Sequence, residues 1–122
     1  MKHKILIIED NEQNMYLITF LLKNYGYEIV QAYNGKDGIR FAREKKPDVI
    51  LLDIQLPGIN GYQVAEELRK DQSLKNVPII AVTSYAMAGD KERVLAAGAT
   101  GYIEKPINPD TFISQLQEYI SP

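Results

Sequence analysis

The run Asp48 to Gly61, DVILLDIQLPGING, constrains the fold more than any other stretch of this chain. Val49, Ile50, Leu51 and Leu52 are apolar without interruption, which suits a strand buried on both faces of a parallel sheet. The run ends on a carboxylate, Asp53. Pro57, Gly58, Asn60 and Gly61 follow, a cluster of turn formers that stops the strand and lifts the chain into a loop. Asp53 is thereby placed at the carboxyl end of a central strand, the edge where open α/β sheets collect ligands and chemistry.

The same pattern recurs along the chain. Lys4 to Ile8 reads as a buried first strand running into Glu9, Asp10 and Asn11, so two acids stand at its carboxyl end. Asn11 suits a helix N-cap, Glu12 adds negative charge at the positive helix end, and apolar residues recur to Tyr25 before Gly26 stops the helix. Leu17, Ile18, Leu21 and Tyr25 form the expected core stripe, while Tyr16 and Phe20 fall on the opposite flank of a 3.6-residue wheel. Glu28 to Ala32 reads as a second strand. The Asn34-Gly35 turn and a helix over roughly Lys36 to Lys45 come next, with Ile39, Phe41 and Ala42 inward and Pro47 closing the unit.

After the Asp53 loop, a helix is expected from about Tyr62 to Asp71, with Val64, Ala65 and Leu68 as its apolar face. Ile79 to Val82 follow Pro78, repeat the doubly buried pattern and lead into Thr83 and Ser84. Tyr85 to Gly89 is expected as loop, and Asp90 to Ala97 as a short, weakly amphipathic helix stopped by Gly98. Gly101 to Glu104 reads as a fifth strand carrying Tyr102, with Lys105-Pro106 at its end. Asn108 as N-cap and Pro109 at the first helical position open a last helix, with Phe112, Ile113, Leu116, Tyr119 and Ile120 as its stripe. Five strand-helix units imply a doubly wound α/β fold: a five-stranded parallel sheet with helices on both faces, because right-handed crossovers force that wrapping. Strand order is not legible in the pattern itself.

A chain of 122 residues is expected to form one domain, 1–122, burying roughly two-thirds of its unfolded surface and leaving no room for an output domain. Net charge is −2, with both signs interspersed, so there is no basic footprint for nucleic acid or anionic lipid. Cysteine is absent, which removes disulfides, thiolate metal sites and cysteine nucleophiles. Met1 to Lys4 is followed by only four apolar residues, Ile5 to Ile8, before Glu9, too few for a signal sequence or a membrane span, and a cytoplasmic location is expected.

Glu9, Asp10, Asp53, Thr83 and Lys105 all fall at or just beyond carboxyl strand ends and can converge there. Clustered carboxylates repel and raise at least one pKa unless a hard cation is supplied. Oxygen-only ligands without Cys or His favour Mg²⁺ over zinc. With that charge balanced, a carboxylate is able to attack a phosphoryl group, an ammonium such as Lys105 neutralises its oxygens, and Thr83 donates to one of them.

These segments together resemble the response-regulator receiver domain, the CheY-like phosphoacceptor of two-component signalling. The likeness covers essentially the whole chain: IIEDN after the first strand, LLDIQLPGINGYQV around Asp53, AVTSYAMAGD after the fourth and YIEKPIN at the fifth. It implies Asp53 as phosphoacceptor, with Glu9, Asp10, Asp53 and the backbone carbonyl of Gln55 around Mg²⁺, directly or through water. It implies Thr83 and Tyr102 as the switch pair, Lys105 as the phosphate-contacting lysine, a cis Lys105-Pro106 bond and strand order 2-1-3-4-5. Glu9 stands where many members carry Asp, and its longer reach favours coordination through water. The implied partners are a histidine kinase or histidine phosphotransfer protein upstream and a protein target downstream. Within the family, the length and the AVTSYAMAGD segment look most like single-domain regulators of the DivK cell-division type, or receiver segments of hybrid kinases.

Two other classes are weaker. A small-molecule phosphatase or phosphotransferase with an aspartyl-phosphate intermediate needs a substrate cap, and no stretch supplies one. A flavodoxin-like cofactor module wants neutral amides around phosphate after the first strand, where Glu9-Asp10 repels it. His3 has no partner carboxylate or second ligand in the sequence and carries no functional assignment.

Overall fold

A computed structural model describes residues 3–84 and 88–120, with only the backbone of Ala88 and Gly89. Five strands, β1 (Lys4–Ile8), β2 (Glu28–Ala32), β3 (Val49–Asp53), β4 (Ile79–Thr83) and β5 (Gly101–Glu104), alternate with five helices. The helices are α1 (Glu12–Asn24), α2 (Gly35–Lys45), α3 (Gly61–Lys70), α4 (Ala88–Ala96) and α5 (Phe112–Gln117). All pairings are parallel, in the order β2-β1-β3-β4-β5. The doubly wound architecture and the strand order implied by the family resemblance are both observed.

Alternation along each strand feeds two separate cores. Leu6, Ile8, Ile50, Leu52, Ile79 and Ala81 pack under α2, α3 and α4 with Ala42, Val64, Leu68 and Val94. Ile5, Ile7, Val49, Leu51, Ile80 and Val82 pack under α1 and α5 with Ile18, Leu22, Phe112 and Leu116. Strands buried on both sides are why each reads as an unbroken apolar run.

The helices carry the corrections. In α1 the buried residues are Met15, Ile18 and Leu22; Leu17 and Leu21 only flank the core, and Tyr25, expected inward, is 55% exposed. Apolar residues on several flanks left the wheel's rotation undetermined. Tyr16 and Phe20 do project outward, their rings stacked with centroids 6.2 Å apart. Asn11 caps α1 as expected, accepting from the Asn14 N–H at 2.8 Å. Helix α5 starts at Phe112 rather than Pro109, because Asn108 closes a preceding turn: its Oδ1 accepts from Asp110 N–H and its carbonyl from Thr111 and Phe112 N–H. Ala88 and Gly89 belong to α4 rather than a loop; the rest of the expected Tyr85–Gly89 loop, residues 85–87, lies outside the described residues.

Arg69 ties the C-terminal end of α3 to the turns beside it. Nε donates to Gly98 O at 2.8 Å, and Nη1 to Leu74 O at 2.9 Å and Val77 O at 2.8 Å. Arg69→Ala removes this shared donor from the three carbonyls, of which Leu74 O keeps the Val77 N–H at 3.2 Å, and a loss of about 1–3 kcal/mol in urea unfolding is expected. An unchanged midpoint would mean that water replaces the guanidinium without penalty.

Candidate functional site

The carboxyl ends of β1, β3, β4 and β5 share one edge, and the register sets what meets there. Ile8 lies beside Leu52, Asp53 beside Val82 and Thr83 beside Glu104, so Glu9, Asp53 and Lys105 leave their strands at neighbouring points. Pairing extends past the strand ends: Glu9 N–H donates to Ala32 O at 3.0 Å and Lys105 N–H to Thr83 O at 2.8 Å. Roots held by the sheet let the side chains be placed tightly.

Lys105 Nζ lies 3.0 Å from Glu9 Oε1 and 3.3 Å from Asp53 Oδ2. The other oxygens are held by backbone, with Asn11 N–H donating to Glu9 Oε2 at 3.1 Å and Gln55 N–H to Asp53 Oδ1 at 3.0 Å. Glu9 is 1% exposed and Asp53 3%, so one ammonium faces two nearly dehydrated carboxyl groups. Burial pushes the Glu9 carboxyl from its ordinary 4.5 up to about 7, reinforced by the hydrogen bond and charge of Asp53 and opposed by Lys105 and Asn11. Burial also works against the Lys105 ammonium, but Glu9 and Asp53 outweigh it and hold its pKa above the usual lysine value.

Asp10 sits on the exposed rim, and an oxygen from each of Glu9, Asp10 and Asp53 falls within 4.8 Å of the others. Glu9 Oε1 is wholly buried and, among the described residues, has no aligned hydrogen-bond donor, with Lys105 Nζ beside it as an ion-pair partner. Three hard oxygen donors with one such atom among them fit a small divalent cation such as Mg²⁺.

Thr83 is buried beside this cluster. In β4 it keeps the side-chain parity of Ile79 and Ala81, and Tyr102 on β5 pairs with Ala81, so Thr83 and Tyr102 belong to the α4 side of the sheet. The Lys105-Pro106 bond is cis, as the resemblance implies. Three local features escaped the sequence reading. Ser84 Oγ donates to Gln55 Oε1 at 3.0 Å, bridging the loops after β4 and β3. Asn60 and Gln63 form a reciprocal capping box, whose N-cap and N3 spacing is a readable signal, and this starts α3 at Gly61. Gly61 packs against the Asp53 carbonyl and Ile54 Cα, where an added Cβ would stand 2.7 Å and 2.5 Å from them.

A family model for the response regulator receiver domain matches residues 5–117, from the second residue of β1 to the last of α5. The polar-differentiation response regulator DivK of Brucella anthropi is 43% identical over 120 residues, covering 98% of this chain and 98% of that protein. DivK of Brucella ovis is 42% identical with the same coverage. The receiver domain of a sensor histidine kinase from Pseudomonas aeruginosa PAO1, solved with a magnesium ion coordinated in its active-site cleft, superposes with a TM-score of 0.90 at 35% identity over 98% of each chain. Chemotaxis protein CheY4 of Vibrio cholerae superposes with a TM-score of 0.93 at 28% identity, over 98% of this chain and 99% of that one. Across its whole doubly wound sheet, and not only at the acidic edge, the chain belongs to the response regulator receiver domain family of two-component signalling.

Proposed function

We propose that Asp53 is the phosphoacceptor of this response regulator, taking its phosphoryl group from a histidine kinase or histidine phosphotransfer protein and signalling through a downstream protein. The observation that carries this reading is the buried Asp53 carboxylate, braced by Lys105 Nζ at 3.3 Å and Gln55 N–H at 3.0 Å. In the transfer, a carboxylate oxygen of Asp53 attacks phosphorus. The P–O bond of acetyl phosphate, or the P–N bond of phosphohistidine, breaks, and the electron pair leaves with acetate or imidazole. Gln55 N–H fixes the orientation of the carboxylate, Lys105 balances charge on the phosphoryl oxygens, and Thr83 donates its hydroxyl to one of them. Glu9, Asp10, Asp53 and the Gln55 backbone carbonyl would hold Mg²⁺, which when bound supplies the positive charge that lets two anions approach. Glu9 acts directly or through water.

The role is that of a signalling phosphoacceptor rather than an enzyme for small molecules, and residues 1–122 are read as one receiver domain. Among the described residues no helix is long and apolar enough to cross a membrane, in keeping with a cytoplasmic site of action. Likeness to the Brucella DivK regulators supports a cell-division or cell-cycle role. Mass spectrometry after incubation with acetyl phosphate tests the core of the reading. A Mg²⁺-dependent mass gain on Asp53, lost in Asp53→Asn, is expected; equal labelling in EDTA would sink it.

The exposed Tyr16 and Phe20 rings on α1 are the proposed docking point for the protein donor. Replacing both by alanine is expected to slow transfer from that donor roughly tenfold, as for an interface aromatic pair, with acetyl phosphate labelling unchanged. Equal loss with both donors would make the pair structural.

A further inference from the structure

Helix α4 is held to the sheet by little apolar surface. Among its described residues Val94 is the buried anchor, joined by Ala97 just past the helix end, while Leu95 is 46% exposed. Two cationic side chains add to that grip from opposite flanks. Lys91 Nζ lies 4.7 Å from the ring centroid of Tyr102 on β5, and Arg93 Cζ lies 3.9 Å from that of Tyr62 near the start of α3. Residues two apart on a helix stand about 200° apart around its axis, so the two contacts pull to either side. Both rings rest on the same core cluster as Val94. The Tyr102 side chain beside it raises the pKa of the Lys91 ammonium.

We infer that Lys91 is a positioning residue for Tyr102, holding the ring in the half-exposed place it occupies here, and that Arg93 anchors the opposite flank of α4 to α3. The contact depends on the cation as well as the stem, because attraction to a ring face is electrostatic. Tyr62 follows Gly61, which abuts the Asp53 carbonyl, so the Arg93 contact ties α4 to the loop after β3. Only its consequence for signalling rests on the phosphoacceptor reading: with Tyr102 as a switch residue, Lys91 favours the resting position and lowers the population of the alternative.

The test uses the unphosphorylated full chain with ring-¹³C tyrosine. Lys91→Met keeps a long stem and good helix propensity but loses the charge. It is expected to move the Tyr102 ring resonances and to speed amide exchange in α4 about two- to fivefold, the worth of an exposed cation–π contact. Lys91→Arg is expected to restore wild-type values. Arg93→Met is expected to speed α4 exchange to a similar extent while moving the Tyr62 rather than the Tyr102 resonances. Unmoved Tyr102 resonances in Lys91→Met, or equal movement in Lys91→Arg, would overturn the inference. Asp53 labelling on the same samples keeps the two readings apart, since failure to gain mass removes the phosphoacceptor role and leaves the resting-state contacts measurable.

Discussion

In EDTA, the melting temperature of this protein will fall as pH is raised from about 5 to about 8, and Mg²⁺ will reverse the loss. The folded Glu9 carboxyl keeps its proton until about pH 7, whereas the unfolded one releases it near 4.5. Between those values the folded state binds more protons, so stability declines as pH rises and levels off above the higher one. At about 1.4 kcal/mol per unit, the gap between 4.5 and about 7 sets an upper limit of about 3.5 kcal/mol. Lys105, with its pKa raised, stays charged through this window and adds no slope. Glu9→Gln should flatten the curve, and Asp53→Asn should raise the melting temperature in EDTA by relieving like charge. A flat wild-type curve, or a slope surviving in Glu9→Gln, would show that the acids are not coupled as their geometry implies.

Gly61→Ala is expected to damage both stability and phosphoryl transfer. Its Cβ would meet Ile54 Cα at 2.5 Å and Asp53 O at 2.7 Å, and backbone atoms cannot step aside by changing rotamer. Relief requires shifting the loop that begins at Asp53, at about 2–3 kcal/mol, the upper part of the range for overpacking. A displaced carboxylate should then slow acetyl phosphate labelling by roughly ten- to hundredfold. Gly58, in the same loop, has open space around its would-be Cβ and a φ of 75°, so Gly58→Asn serves as control with a small expected effect. Wild-type urea midpoint and labelling rate in Gly61→Ala would refute the crowding.

Strand ends were legible because doubly buried strands leave unbroken apolar runs, and the acids, hydroxyls and lysine of the site stand where those runs stop. Helix faces were less so. Met15 and Leu22 went unassigned because Leu17 and Leu21 offered an apolar stripe rotated from theirs, with Tyr16 and Phe20 on a further flank of α1. Asn108 and Pro109 satisfied the rule for a helix start, yet the same residues also make a free-standing turn. The 3₁₀ turn at Gln72–Leu74 is too short to have a period. The Ser84–Gln55, Lys91–Tyr102 and Arg93–Tyr62 contacts join elements whose mutual placement follows from the assembled sheet, and no spacing along the chain encodes them.

The division of the interior by the sheet has a further consequence. Among the described residues, the cluster under α1 and α5 shares no side chain with the one under α2, α3 and α4. Perturbations on opposite sides should therefore combine additively, whereas neighbours within one half should couple. Tyr16 and Phe20 rise from a helix of one half, and Tyr102 and α4 belong to the other. On the proposed roles of these residues, a donor stays seated on one side of the wall while the other side rearranges, so arrival and onward reading of the signal need not compete for the same packing.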